Sequence, residues 1–247
     1  MAEAAGSGGV RTAIGLQGRM SPAVRRAAEV VKSGAIGRPL AASIYCPISA
    51  FGPRVPSTQS WSLDPANGTT LVSVAGGHTL DMAISVLGSI DQLAALPTIM
   101  FKEVQLDNPA GTATRCTADH LLIHARLVSG CALNVELAGS RAPGSAFQFR
   151  IVGTEGELVM GGNHPVGLQA SDLTLSGSVP FEQPARQGAP GLEGPAINVA
   201  ELYASFAHDL TGGANMTPNF DHAVRIHRLI DLVDRAGATG GRQTPRR

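Results

Sequence analysis

The sequence predicts an α+β domain, a largely antiparallel open sheet with helices packed on one face. Three observations lead there. Apolar residues recur at helical spacing near both ends of the 247-residue chain. Between residues 93 and 160 the period shifts to strand-like alternation, with turn signals close enough to make successive strands antiparallel neighbours. Helices then cover one sheet face and the other needs a partner, which a second subunit's sheet would supply. A homodimer is therefore expected.

Composition narrows the function classes. Hydrophobic residues make up 43% and charged residues 15%, so a sizeable core can be buried. The formal net charge is zero, which gives no long-range attraction to phosphate backbones or anionic membranes, and neither is expected as a partner. No unbroken apolar run reaches the ~20 residues a bilayer span needs. Residues 1–9 are Ala/Gly-rich and acidic with no signal core, so a cytoplasmic location is expected. Cys46, Cys116 and Cys131 are odd in number and widely spaced, reading as buried free thiols with no zinc pattern.

Residues 1–10 read as a flexible leader and 11–16 as a short strand. Ser21-Pro22 opens a helix, because Ser accepts an orphan amide bond and Pro suits the first helical position. Val24, Ala27, Ala28 and Val31 form its apolar face, and Gly34 stops it. Residues 40–45 are the next strand, and 47–67 a loop carrying the only tryptophan, Trp61. A long helix is expected at 69–87 despite Gly76-Gly77, a pair that costs roughly 2 kcal/mol against alanine. Close packing or ligand approach would explain it. Strands are expected at 93–104, 114–127, 132–137, 147–152 and 157–160. The Pro/Gly-rich residues 180–195 form a lid or a surface loop. Asn198 and Glu201 make a capping-box-like start to a helix with Val199, Leu202, Phe206 and Leu210 as its stripe. Thr217-Pro218 precedes a last helix with Phe220, Ala223, Ile226, Ile230 and Val233 inward, ending near Gly237. Residues 241–247 read as a disordered tail, leaving one domain over 11–240.

The strongest chemical signal is Gly76-Gly77-His78-Thr79-Leu80-Asp81. His78 and Asp81 share a helix face. A histidine with a near-neutral pKa can take a hydroxyl proton as the carbinol hydrogen leaves as hydride. The two glycines would let a sugar or nicotinamide ring reach the backbone. On its own, a histidine with an aspartate three residues on is more often a structural pair. Arg19 reads equally as a carboxylate or sugar-hydroxyl ligand and as a junction salt bridge. Trp61 reads as a sugar-stacking ring or a local packing anchor. His120 and His124 lie on a strand, ~13 Å apart, too far to share a metal. His208, Asp209 and His222 receive no role.

The run Gly15-Leu16-Gln17-Gly18-Arg19-Met20-Ser21-Pro22-Ala23, then Gly34-Ala35-Ile36-Gly37, then Gly76-Gly77-His78-x-x-Asp81, resembles the GFO/IDH/MocA oxidoreductase family. The turn Gly153-Thr154-Glu155-Gly156-Glu157 and the last helix also match that family's second half. The form of the 75–81 motif is closest to the fungal galactose-regulon repressor-like branch. The resemblance implies a glyceraldehyde-3-phosphate-dehydrogenase-like C-terminal domain and NAD or NADP as the parent family's cofactor. It implies His78 as the catalytic base and places Gln17 and Arg19 near the cofactor–substrate cleft; with Asp81 as support of the base and Trp61 they are the candidate substrate contacts, and Gly76 and Gly77 the candidate cofactor contacts. It also implies an N-terminal Rossmann domain, which is expected to be absent, since no strand–G-x-G-x-x-G–helix unit occurs. The cofactor is then not expected to bind this chain alone, and a separate Rossmann chain is a possible partner. Val74 stands where the family has an aspartate, and valine can neither orient nor charge-stabilise the imidazole. Two readings follow: an oxidoreductase's substrate-binding and dimerisation part, or a non-catalytic sugar- or nucleotide-sensing module. A ligand-free assembly domain is a third.

Overall fold

The computed structural model describes residues 1–107, 111–140, 142, 144–186, 191–212 and 215–245. From the N-terminus come helix α1 (Ala2–Ser7), a 3₁₀ turn (Gln17–Met20), helix α2 (Pro22–Lys32) and strand β1 (Pro39–Pro47). Strand β2 (Arg54–Val55) and a 3₁₀ segment (Ser57–Leu63) lead to a π-helical turn (Val72–Gly76) and helix α3 (Gly77–Leu87). Strands β3 (Ile90–Thr98), β4 (Glu103–Leu106), β5 (Gly111–Thr114), β6 (His120–Leu127) and β7 (Ala132–Ala138) follow. Then come β8 (Phe147–Gly153), β9 (Glu157–Gly162), a 3₁₀ turn (Leu168–Ala170), β10 (Thr174–Gly177), α4 (Pro195–Leu210) and α5 (Phe220–Thr239).

A seven-stranded sheet runs in the order β10-β9-β8-β1-β7-β6-β3, beside a small sheet β2-β4-β5. The first strand of the large sheet is its middle one. β1 lies parallel to β7 and antiparallel to β8, with Ile44 opposite both Val135 and Phe149. Adjacent strands in sequence pair antiparallel as expected at β6–β7 and β8–β9, β10 adds itself antiparallel to β9, and β1 separates β7 from β8. Strand alternation sends Ile44, Leu133, Val135, Phe149 and Ile151 into the core, each at most 3% exposed. Each such side chain contributes about 1.5–3 kcal/mol by leaving water. Helix α2 packs over β9 and β10, α5 over β3, and α3 lies between α2 and α5. The opposite face carries Ser43, Tyr45, His124, Asn134, Glu136, Gln148 and Arg150, exposed or half-exposed.

Two of the glycine motifs meet at one corner. The amide of Glu155 donates to the Ile36 carbonyl (3.0 Å) and that of Thr154 to the Arg38 carbonyl (3.1 Å). A Cβ on Gly153 would lie 2.0 Å from the Ile36 carbonyl oxygen.

Several expectations are corrected. Residues 11–16 are no strand: they find no sheet edge among the described residues, and Ile14 donates instead to the Pro218 carbonyl (2.9 Å). The runs 93–104 and 114–127 each split in two. The cause is a buried Arg115–Asp119 ion pair (2.8 Å): Asp119 accepts from the Met100 and Phe101 amides, and Arg115 donates to the Phe51 and Gly52 carbonyls. Strand β10 was not anticipated. The helix expected at 69–87 opens with the π-helical turn, and Gly76 and Gly77 pack close to Leu137 and Ile230. The segment Pro65–Leu87 is long and apolar enough to cross a bilayer, but 67% of its most apolar window is buried. Cys116 is exposed, while Cys46 and Cys131 are buried. Residues 2–7 of the expected leader are helical, and Gln243 of the expected tail exchanges both backbone bonds with Leu93 (2.9 and 2.7 Å). In the loop at 180–195, positions 187–190 lie outside the described residues.

Helix α4 differs most. It starts at Pro195, so Asn198 is interior and caps nothing; its side-chain amide donates to the Gln169 and Ser171 carbonyls (3.1 and 3.0 Å). Glu201 pairs with Arg25, Ser205 accepts from Thr217 (3.1 Å), and Asp209 accepts from the Met216 and Thr217 amides (3.1 and 2.9 Å). These contacts hold α4 by its polar face. Of the expected stripe only Leu202 is buried; Phe206 is half-buried, and Val199 and Leu210 face out.

Candidate functional site

The π-helical turn feeds straight into α3, which sets His78 in the first turn of that helix and Asp81 one turn on. His78 is half-buried, and its Nδ1 is shielded from solvent without a hydrogen-bond partner among the described residues. Burial pushes the imidazole pKa below its ordinary 6.5, against the opposing pull of the Asp81 carboxylate. The ring is thereby kept neutral near pH 7, the form that accepts a proton. A buried polar atom left unpaired costs about 1–3 kcal/mol.

Asp81 is 1% exposed and sits where three elements meet. Its Oδ1 accepts from Arg19 Nη1 of the first 3₁₀ turn (2.9 Å) and from His222 Nε2 of α5 (2.5 Å). Arg19 Nη1 is also 2.6 Å from His222 Nε2, and Arg225 Nη2 lies 3.2 Å from His222 Nδ1. His222 thus turns Nε2 toward Asp81 and Arg19 and Nδ1 toward Arg225. The Asp81 Oδ2 is buried without a partner. Asn219 caps α5 by accepting the His222 amide (2.9 Å), which fixes that histidine in the first turn.

The structure thus brings Arg19 and Asp81 together and adds His222 and Arg225, which sequence reasoning missed. The signal was available: His222 falls one turn before Ile226 on the apolar stripe of α5, where a polar residue needs a reason. Gln17, half-buried, makes no hydrogen bond to this cluster among the described residues. Trp61 stands on the exposed 3₁₀ segment, 53% accessible, its carbonyl accepting from Asn67 (2.7 Å). Val74, in the π-helical turn, is 40% exposed.

On β6, His124 is exposed and contacts Asn134 (2.6 Å), and His120 lies 3.4 Å from Glu136. No group of three metal-binding side chains converges among the described residues. For a nicotinamide dinucleotide the fit is one-sided. His78 suits the reacting hydroxyl. At Gly76 and Gly77, expected beside the cofactor, an added Cβ would meet Leu137 Cδ1 and Ile230 Cδ1 at 3.5 Å, ordinary contact in packed space and no cradle for phosphates.

Comparison with known proteins bears on this arrangement. The sequence profile of the Gal80p C-terminal-domain-like family matches residues 22–162. The dehydrogenase aclE of Aspergillus oryzae is 28% identical over 244 residues, covering 94% of this chain and 63% of its own length. The galactose/lactose metabolism regulatory protein GAL80 of Saccharomyces cerevisiae is 28% identical over 246 residues, covering 94% of this chain and 54% of its own. The chain therefore spans little more than half of the curated relatives it matches. A crystal structure of a super-repressor mutant of that yeast protein superposes with a TM-score of 0.86 at 24% identity, covering 98% of this chain and 67% of that one. Levoglucosan dehydrogenase in complex with NADH and levoglucosan gives a TM-score of 0.73 at 18% identity, covering 96% and 66%. Identities this low in the solved structures establish the fold alone.

Proposed function

The chain belongs to the Gal80p C-terminal-domain-like family, and on that premise we propose that it is the substrate-binding and dimerisation part of an NAD(P)-dependent oxidoreductase. Its substrate is a sugar, cyclitol or related hydroxy compound. One observation carries this reading: a neutral, half-buried imidazole on the helix face it shares with Asp81, its Nδ1 without a partner among the described residues. The dehydrogenase relative and the likeness to a sugar dehydrogenase support it.

In this reading the His78 imidazole accepts the substrate's hydroxyl proton. The Asp81 carboxylate steadies the imidazolium that forms, and Arg19 and His222 hold that carboxylate in place. The hydride goes to a nicotinamide cofactor held outside these residues. Val74 supplies no second carboxylate, so the imidazolium has one anionic neighbour and the base is weaker than an aspartate-flanked one. The open sheet face pairs with a second copy.

A sensing module is the second reading, favoured by Val74 and by the regulatory relative. Thermal unfolding with levoglucosan as probe, with and without NADH, tests the site. A ligand binding the native state at a hundred times its Kd stabilises by ~2.7 kcal/mol. The sugar alone should raise Tm, and His78→Ala should abolish the rise. A rise that survives His78→Ala, or none with levoglucosan or myo-inositol, would sink the reading. Sugar-dependent stabilisation without NAD reduction, even with a dinucleotide-binding domain added, would favour the sensor.

A further inference from the structure

A chain of zero formal net charge sets three arginines against one carboxylate in a single cleft. The cleft measures about 650 Å³ and lies beside the end of α3 and the start of β3, with Arg225, Arg228, Asp231 and Arg235 of α5 along its side. Among the described residues, Arg228 and Arg235 make no side-chain hydrogen bond or ion pair, and Asp231 pairs with none of the three arginines. Arg225 contacts the ring of His222 (3.2 Å). Like charges one turn apart on a helix repel, so Arg225 and Arg228 cost stability until an anion joins them. The floor is apolar: Ile90, Leu229 and Leu232 are buried beneath the charged groups. A recess with an apolar floor and a few convergent charged groups has the build of a small-molecule site.

Spacing selects the anion. Arg228 and Arg235 are seven residues apart, two turns along one face of α5, a rise of about 10 Å. Asp231 lies between them on that face. A single phosphate shared by both guanidiniums would sit over the Asp231 carboxylate and be repelled. Two phosphates on one skeleton straddle that carboxylate, one toward Arg235 and the other toward Arg225 and Arg228. Hydroxyls on the skeleton between them can donate to Asp231. Guanidinium forks match phosphate oxygens bidentately, which makes arginine the suited cation here. The C–H face of a sugar would rest on the leucines below.

We propose that this cleft binds a small soluble sugar or polyol carrying two phosphates. The site itself is independent of the chemistry assigned to His78; its link to that chemistry rests on the functional reading above. Arg225 contacts His222 Nδ1, and His222 Nε2 meets Asp81, one turn from His78. A phosphate that draws Arg225 outward loosens this chain of contacts, so the bisphosphate should change the stabilisation that levoglucosan gives. Isothermal titration calorimetry of the full chain with fructose bisphosphate should show one site, with inorganic phosphate binding more weakly. Arg228→Gln with Arg235→Gln should weaken the bisphosphate about tenfold or more, the worth of one charge-assisted bond. Arg54→Gln with Lys102→Gln removes two exposed cations elsewhere and should leave binding unchanged. Circular dichroism checks that both double variants fold, which these accessible positions favour. No heat with fructose bisphosphate, binding indifferent to the Arg228 and Arg235 pair, or inorganic phosphate binding as tightly, overturns the proposal. So does capture of the chain by phosphatidylinositol bisphosphate vesicles through the same two arginines when the soluble bisphosphate gives no heat, which would make a lipid headgroup the ligand. Bisphosphate binding through these arginines with no response to levoglucosan would defeat the functional reading and leave the cleft standing.

Discussion

His78 couples the candidate chemistry to folding. Its folded pKa lies below the ordinary 6.5 because burial disfavours the charged ring, so the unfolded chain binds this proton more readily than the native one. The stability it contributes is therefore fully present above pH 6.5 and is lost as pH falls toward the folded value. Urea midpoints at pH 7.5 and pH 5.0 should differ in the native chain, and the difference should shrink in His78→Gln, which cannot titrate. An undiminished difference in the variant would remove His78 as the responsible group. The residues around it were unequally legible. Arg19 and Asp81 stand out in sequence as members of separate short motifs, and the structure joins them through one carboxylate oxygen. His222 comes from an element more than a hundred residues away, and no local pattern announces that it meets Asp81.

Among the elements, glycine separates two kinds of constraint. Gly153→Ala would drive a methyl onto the Ile36 carbonyl, a backbone atom that cannot swing aside, and should destabilise by about 1–3 kcal/mol. Gly77→Ala meets only ordinary contact at 3.5 Å within a helix and should stabilise by about 0.4–1 kcal/mol. Chemical denaturation of both variants checks the pair, and reversed signs would contradict the packing argument. If Gly77→Ala strengthens the fold but weakens the response to sugar, that glycine serves the ligand. Most helix and strand positions were readable from periodicity, since the core is built from local alternation. Helix α4 was not, because its buried face is chosen by Arg25 and by carbonyls near residue 170 rather than by apolarity. The breaks near 99–102 and 115–119 also escaped, because the buried Arg115–Asp119 pair that imposes them is held by backbone groups distant in sequence, at Phe51, Gly52, Met100 and Phe101.

For the whole molecule, the proposed dimer rests on the uncovered side of the large sheet. Its middle rows are Asn134–Ser43–Arg150 and Glu136–Tyr45–Gln148, neutral side chains with one cation and one anion that a second copy can set against each other. Sedimentation equilibrium at about ten times a micromolar Kd should show a dimer. Ser43→Arg, which sets a new cation opposite Arg150, should give monomers. A native chain that is monomeric at that concentration would leave this face without the expected role. The strand that carries Ser43 also governs how the protein emerges from synthesis. β1 is finished early, yet its two neighbours begin at residues 132 and 147, so the middle of the sheet waits for about a hundred more residues to be made. At roughly 5–20 residues per second that is a delay of about 5–20 s. Throughout it an apolar strand has both edges open, which makes the nascent chain a natural client for chaperones.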